Sequence, residues 1–338
     1  GNQALGLAEG AAHVEEHGDE TSGDIVSHAD SVVPHGWIEP LPDALTPSQY
    51  LTKLLAATQA KSRPTQEQLQ FLAVFVAMLD IVKLEEYEGI PWAQRSQFVF
   101  LLLGQGGCGK TFIVQQFVAR VVAYAFGTNE AIRMLAFSNP QATNLSSDRF
   151  PAVTVHRACG MAVQKMSNSL LNPGEKLAAL EAFWGPARLT VGEEITMWPA
   201  EGFNMGLVRR AWGRHFQCGV DMDAYRFKGN LWGKMPMVLE LGDPLQMRPV
   251  RTVSLFDTLE MLVERAAAGD DISTEAQWGI KAFKQFDYAF ELTETKRFAP
   301  GDPLGPFLQS LRDADSEAGH VVDASLRTRF QRQCVKST

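Results

Sequence analysis

The stretch Phe98 to Thr111, FVFLLLGQGGCGKT, constrains this chain more than any other. Six apolar residues, aromatic and β-branched among them, run unbroken into Gly104, as in a strand buried on both faces of a parallel sheet. A complete G-x-x-x-x-G-K-[ST] frame follows, from Gly104 through Gly109 and Lys110 to Thr111. Phe112, Val114, Phe117, Val118, Val121 and Val122 then recur at helical spacing. A plain glycine turn would account for the loop alone; strand, loop and helix together define a phosphate site. Gly104, Gly107 and Gly109 let backbone N–H groups approach phosphate oxygens, and the helix N-terminus adds partial positive charge. Lys110 reaches the outer phosphates, and the Thr111 hydroxyl would hold Mg²⁺. Such a loop binds a nucleoside triphosphate and leaves open what hydrolysis accomplishes.

With 338 residues the chain can bury a large core in one or two domains. No apolar run is long enough to span a bilayer and no signal peptide opens the chain, so a soluble protein without membrane contact is expected. Cys108, Cys159, Cys218 and Cys334 are far apart with no C-x-x-C pair, which argues against a zinc module or a disulfide framework and fits an intracellular compartment. The net charge of −8 is unevenly placed: residues 1 to 45 hold nine acidic residues and no Lys or Arg, and the remainder is near neutral. Bulk charge therefore speaks against nucleic acid only for this tail, whose few large apolar residues predict disorder. His13, His17, His28 and His35 lie in it without metal-site spacing and are read as solvated.

A helix is predicted from Thr46 to Ala60, with Thr46 as N-cap and Pro47 at the first helical position. RPTQEQLQF, from Arg63, opens the next helix; Gln68 there is either a surface residue or an amide able to read an adenine edge. Further buried strands are predicted at Ile132–Phe137, Leu189–Met197, Met237–Leu241 and Tyr288–Leu292. The second of these ends in two carboxylates, Glu193 and Glu194, the pair a triphosphate site needs for Mg²⁺ and for the attacking water. GDPLQMRPV, from Gly242, makes a rigid turn with Gln246 at its apex, and Arg297 follows the last strand. Residues 199 to 234, with Trp, Arg and Gly mixed, suggest no element.

Taken in order, GQGGCGKT, LAFSNPQATNL, TVHRACG, GEEITM, LELGDPLQMRPV and ELTETKRF resemble successive motifs of the PIF (petite integration frequency) helicases, the superfamily-one group that includes RecD-type and Helitron enzymes. RPTQEQLQF resembles the adenine-reading glutamine motif, and the likeness runs over roughly residues 60 to 320. The resemblance implies an α/β fold of P-loop NTPase type: a RecA-like parallel sheet flanked by helices over residues 46–285, with the start of a second RecA-like domain over 286–338. It implies that Gln68 reads adenine and that Gly104, Gly107, Gly109 and Lys110 hold phosphates. Thr111 and Glu193 would hold Mg²⁺, Glu194 would activate water, Gln246 would couple the γ-phosphate to the strand, and Arg297 would stabilise the transferring charge. Ser138, Asn139, Thr154 and His156 match positions along a single-stranded DNA path. The implied activity is ATP-driven 5′-to-3′ translocation on single-stranded DNA, unwinding duplex and quadruplex junctions in recombination, repair and telomere maintenance. An intracellular place is expected, the nucleus first with the mitochondrion as the alternative; a tail without arginine does not resemble a mitochondrial presequence.

Three departures stand out. Glu193-Glu194 replaces the family's Asp-Glu, with Gly192 ahead of it in place of an apolar residue. SNPQA replaces PTGVA. Motifs five and six do not appear before Thr338, so the chain is expected to be a piece of a longer helicase. The competing expectation is a nucleotide- or nucleic-acid-binding module without motor activity.

Overall fold

The computed structural model describes residues 45–161, 177–218 and 231–295, apart from positions 245, 247, 250 and 251. The acidic tail, but for its last residue, and Arg297 lie outside the described residues. The first two helices start on reciprocal caps. In α1 (Pro47–Ala57) the Thr46 hydroxyl accepts from the Gln49 N–H, and the Gln49 side chain accepts from the Thr46 N–H. Thr65 and Gln68 repeat the device at α2 (Gln66–Tyr87).

β1 (Phe98–Gly104) leads through the glycine loop into α3 (Lys110–Ile113), which passes through a π-helical turn (Val114–Val118) into α4 (Ala119–Phe126). Then come β2 (Ile132–Ala136), α5 (Asn139–Leu145), β3 (Ala152–Thr154), α6 (Val155–Cys159), α7 (Leu177–Trp184), β4 (Leu189–Glu193) and α8 (Ala200–Cys218). β5 (Met237–Gly242), α9 (Leu259–Ala267), α10 (Thr274–Phe283) and β6 (Tyr288–Leu292) complete the described chain. The six strands form one parallel sheet in the order β3-β2-β4-β5-β1-β6.

Alternation along each strand divides the core in two. Phe100, Leu102, Val191 and Leu239 meet Phe71, Phe75 and Leu79 of α2 and Val121 and Val122 of α4 on one face. Val99, Leu101, Leu103 and Val238 meet Trp184, Phe203 and Phe283 of α7, α8 and α10 on the other. Each fully buried side chain of this size contributes roughly 1.5–3 kcal/mol relative to exposure, which explains the unbroken apolar runs.

Three expectations are revised and one strand is added. Residues 288–292 do not open a second domain: β6 pairs with β1 from Phe100↔Tyr288 to Gly104↔Leu292, with Ala289 in one core and Leu292 in the other, so the expected boundary at 286 cuts through the first sheet. The run predicted to extend to Met197 stops at Glu193, because Glu194 takes a left-handed conformation (φ 55°) and Ile195–Met197 forms a 3-10 turn. β3, three residues long, is too short to show a period in the sequence. Within residues 199–234, α8 is a central helix of the second layer.

Candidate functional site

Because every strand runs the same way, all six C-terminal ends lie along one edge, where open α/β sheets bind ligands. The glycine loop leaves β1 there with Gly107 and Gly109 at positive φ (92° and 85°), backbone that L side chains rarely adopt. Lys110 is buried and turned along the loop, its Nζ donating to the Gly104 carbonyl at 2.6 Å and to that of Gln105 at 3.4 Å. Asp243, just past β5 and fully buried, accepts from the Gly106 N–H at 3.2 Å and so ties the loop to the neighbouring strand. No role for Asp243 follows from the sequence alone; its signal there is an acid directly after a buried strand and a glycine.

β4 brings the two glutamates to the same place. The Thr111 hydroxyl donates to Glu193 Oε1 at 3.3 Å, and Trp198 Nε1 holds the Glu193 carbonyl at 3.2 Å. Burial pushes the Glu193 carboxyl up to about 7; the charge of Glu194 pushes the same way, and Lys110 and the Thr111 hydroxyl pull against both. Glu193 Oε2 is buried with no hydrogen-bond partner. This oxygen, beside the Thr111 hydroxyl, gives hard donors that suit Mg²⁺, an ion that takes few protein ligands and completes its shell with water and phosphate. Bound there, the ion would neutralise phosphate charge. Among the described residues no group of three or more His, Cys, Asp or Glu side chains forms a metal cluster.

Glu194 is also raised, by burial first, with Lys110 and a Gln246 hydrogen bond opposing. The Gln246 amide, with its nitrogen toward the carboxylate, donates to Glu194 Oε2 and, at 3.3 Å, to Oε1. The structure thus brings together Gly104, Gly107, Gly109, Lys110, Thr111, Glu193, Glu194 and Gln246. Gln68 is placed beside the loop and away from solvent. Its Nε2 donates to the Cys108 carbonyl at 2.8 Å and its Oε1 accepts from the Thr65 N–H at 2.9 Å.

The four residues matched to a strand path lie at the β2–β3 end of the same edge. Ser138 caps α5 and Asn139, its first residue, is exposed. Thr154 caps α6 by accepting from the Arg157 N–H at 3.3 Å. His156 is buried edge-on to Phe137, ring centroids 5.8 Å apart; burial lowers its pKa, and Nε2 has no partner. Of the four, Asn139 alone is exposed; Ser138 and Thr154 are half-buried and His156 is buried.

A parallel sheet flanked by helices, with a strand–glycine loop–helix unit facing two carboxylates on a neighbouring strand, defines the RecA-like P-loop nucleotide-binding fold. Solved structures similar to this chain include several Pif1 helicases. With Pif1 helicase from Candida albicans it shares 16% identity at a TM-score of 0.46, over 74% of this chain and 43% of that one. With Bacteroides Pif1 bound to ssDNA the figures are 17% and 0.43, over 74% and 45%. With Bacteroides Pif1 in complex with ADP-AlF3 and ssDNA they are 17% and 0.42, over 68% and 45%. The chain spans less than half the length of each. No protein-family profile and no curated protein matches the sequence.

Proposed function

We propose that this chain is the nucleotide-hydrolysing part of an ATP-dependent DNA helicase, coupling ATP hydrolysis to movement along single-stranded DNA, 5′ to 3′ by its resemblance. The reading rests on one observation above others. Lys110, Thr111, Glu193, Glu194 and Gln246, drawn from three motifs spread over 137 residues, converge on one loop at one sheet edge. In this reading the loop N–H groups and Lys110 bind the triphosphate. Glu194, whose raised carboxyl is oriented by Gln246, orients the attacking water and takes its proton. Asn139 and its neighbours at the β2–β3 end would meet single-stranded DNA. The duplex and quadruplex junctions, the roles in recombination, repair and telomere maintenance, and a nuclear place belong to the same proposal.

Turnover of ATP, measured with and without single-stranded DNA, tests it. Lys110→Ala should lower DNA-stimulated turnover by about 10²-fold or more, as expected when a charge-stabilising donor is removed from a phosphate site. Unchanged turnover defeats the assignment. A second reading, a binding module that holds nucleotide without work, is favoured by the Glu193-Glu194 pair, where the longer side chain stands at the metal-holding position. ATP binding with no turnover at saturating DNA would establish that reading instead.

A further inference from the structure

We propose that Glu67 is a positioning residue for the phosphate loop: it grips the backbone just past β6, and that backbone supports Gly104, Gln105 and, through them, Lys110. The inference rests on the nucleotide-binding reading above and adds to that site a residue that acts on it through others.

An acid in the first turn of a helix is ordinarily accounted for by the partial positive charge of the helix end. Glu67, in the first turn of α2, also reaches a segment 226 residues further on. Its Oε2 accepts from the Thr293 N–H at 2.8 Å and from the Glu294 N–H at 3.3 Å, and its Oε1 accepts from the Thr293 hydroxyl at 2.5 Å. Bonds of this kind, to an ionised acceptor, are roughly twice as strong as those between neutral groups. Burial raises the Glu67 carboxyl, but the bonds from Thr293 and Glu294 outweigh it and leave its pKa below the usual carboxylate value, so the group is held as the anion.

The gripped backbone meets the phosphate loop in two places. Gly104, the first residue of the loop, pairs with Leu292 at the end of β6, so closely that a Cβ on Gly104 would lie 2.7 Å from the Leu292 carbonyl oxygen and 3.2 Å from the Leu292 Cβ. One residue on, the Thr293 carbonyl accepts from Gln105 Nε2 at 3.5 Å. Gly104 and Gln105 are also the two residues whose carbonyls receive the Lys110 ammonium, at 2.6 and 3.4 Å. Thr293 is thus held from both sides, its N–H and hydroxyl by α2 and its carbonyl by the loop. β6 is an edge strand of the described sheet and Thr293 is exposed, so this is backbone that frays readily unless a side chain holds it. With Glu67 in place the end of β6 is fixed, and the two carbonyls that direct Lys110 are fixed with it.

Binding of ATP and of inorganic tripolyphosphate to the full chain, each with Mg²⁺, is measured by titration calorimetry for the parent, Glu67→Gln, Gln105→Ala, the two combined, and Asp80→Asn, beside their thermal midpoints. Glu67→Gln turns an amide N–H toward backbone donors and keeps only part of the grip. Both ligands should then bind more weakly by one common factor, about fivefold, the scale of one net hydrogen bond. Gln105→Ala should weaken both ligands less, and the combined variant should bind no worse than Glu67→Gln alone, because both changes act through Thr293. Asp80→Asn loosens a second carboxylate of α2, one that holds the N–H and hydroxyl of Ser48 roughly 20 Å further along the helix. It should lower the midpoint and leave both affinities unchanged. If Glu67→Gln does not fold, Thr293→Val, which removes only the hydroxyl donor, should give a smaller loss in the same sense, and no loss there overturns the proposal. Unchanged affinities in Glu67→Gln, an equal loss in Asp80→Asn, or additive losses in the combined variant also overturn it, since each makes Glu67 a fastening of the fold alone. Loss of ATP binding with tripolyphosphate unaffected overturns it too, by placing the effect at the base. A parent that binds neither ligand sinks the nucleotide-site reading itself, and this inference with it.

Discussion

On the face of the sheet that carries α1, α2 and α4, the core is hydrocarbon and stacked rings: Phe71, Phe75 and Phe100 touch in succession, and Tyr50 lies flat on Tyr124 at 3.8 Å. On the face that carries α7, α8 and α10, tryptophans share the interior with charge. Arg214 is fully buried and donates to the carbonyls of Gly233, Trp184 and Ala187 at 3.0, 3.0 and 2.6 Å. Arg210 lies between the rings of Trp184 and Trp232, 5.1 and 5.5 Å from their centroids, and its charge is felt by Glu240 on β5. The first layer is stabilised by area removed from water. The second holds buried charge whose polar atoms are only partly matched: Arg214 donates to carbonyls, whereas both Glu240 oxygens and the Arg210 Nε have no hydrogen-bond partner. Such a layer tolerates less change, and it lies directly under the strand ends that present Glu193, Glu194 and Asp243.

The largest break in that contrast should come from Arg214→Met. The change keeps much of the volume and removes every donor, so that the carbonyls of Gly233, Trp184, Ala187 and Lys234 each lose a partner; a loss of about 3–5 kcal/mol is expected. Leu79→Met, also at a fully buried site but in the hydrocarbon layer, should cost less than about 1.5 kcal/mol. Urea unfolding of both variants measures the difference. Equal losses would mean that the two layers do not differ in the way their chemistry suggests.

The same contrast explains what the sequence disclosed. The first layer and the strands were legible because apolar runs and helical spacing reflect burial by hydrophobic residues alone: β1, β2, β5 and β6 follow from such patterns, and the cap at Thr46 from the Thr-Pro pair, while the cap at Thr65 shows only in the structure. α8 was not legible. Arg209, Arg210 and Arg214 look like a solvated face in sequence, yet they are buried because aromatic rings and carbonyls from distant segments surround them. At the site, the loop and the two glutamates could be read from spacing. The bonds that Gln68 and Asp243 make to the loop could not, since they depend on how α2 and β5 dock. Arg297 lies outside the described residues.

A smaller effect should appear with pH. Glu240 is fully buried, neither oxygen has a hydrogen-bond partner, and burial, opposed by Arg210, pushes its carboxyl up to about 7 from 4.5. The folded state holds this proton more tightly than the unfolded chain. Glu240 therefore contributes stability that is fully present below about 4.5 and is lost as pH rises through about 7. Glu240→Gln cannot titrate, so the parent should lose stability relative to this variant between pH 5 and pH 8, by up to about 3 kcal/mol from linkage. Thermal midpoints of the pair across that window read the difference directly, and parallel curves would show that Glu240 is not the titrating group.

Gly192 sharpens the comparison at a single position, with the smallest expected effect. The sequence shows a glycine where the resembled family has an apolar strand residue, and the structure supplies a reason. Gly192 pairs with Glu240 in the register of β4 and β5, and a Cβ on it would lie 1.8 Å from Glu240 Oε2 and 2.9 Å from Cδ. The missing side chain makes room for the buried carboxylate, so the two positions form one packing unit inside the polar layer. Gly192→Ala should cost about 1–3 kcal/mol by overpacking. Gly192→Ala combined with Glu240→Ala should cost less than the two single changes added together, because the shorter side chain at 240 frees the space the new methyl needs. A double-mutant cycle from urea unfolding gives that coupling. Strict additivity would mean that the glycine is there for another reason, and that the polar layer does not reach the strand presenting Glu193.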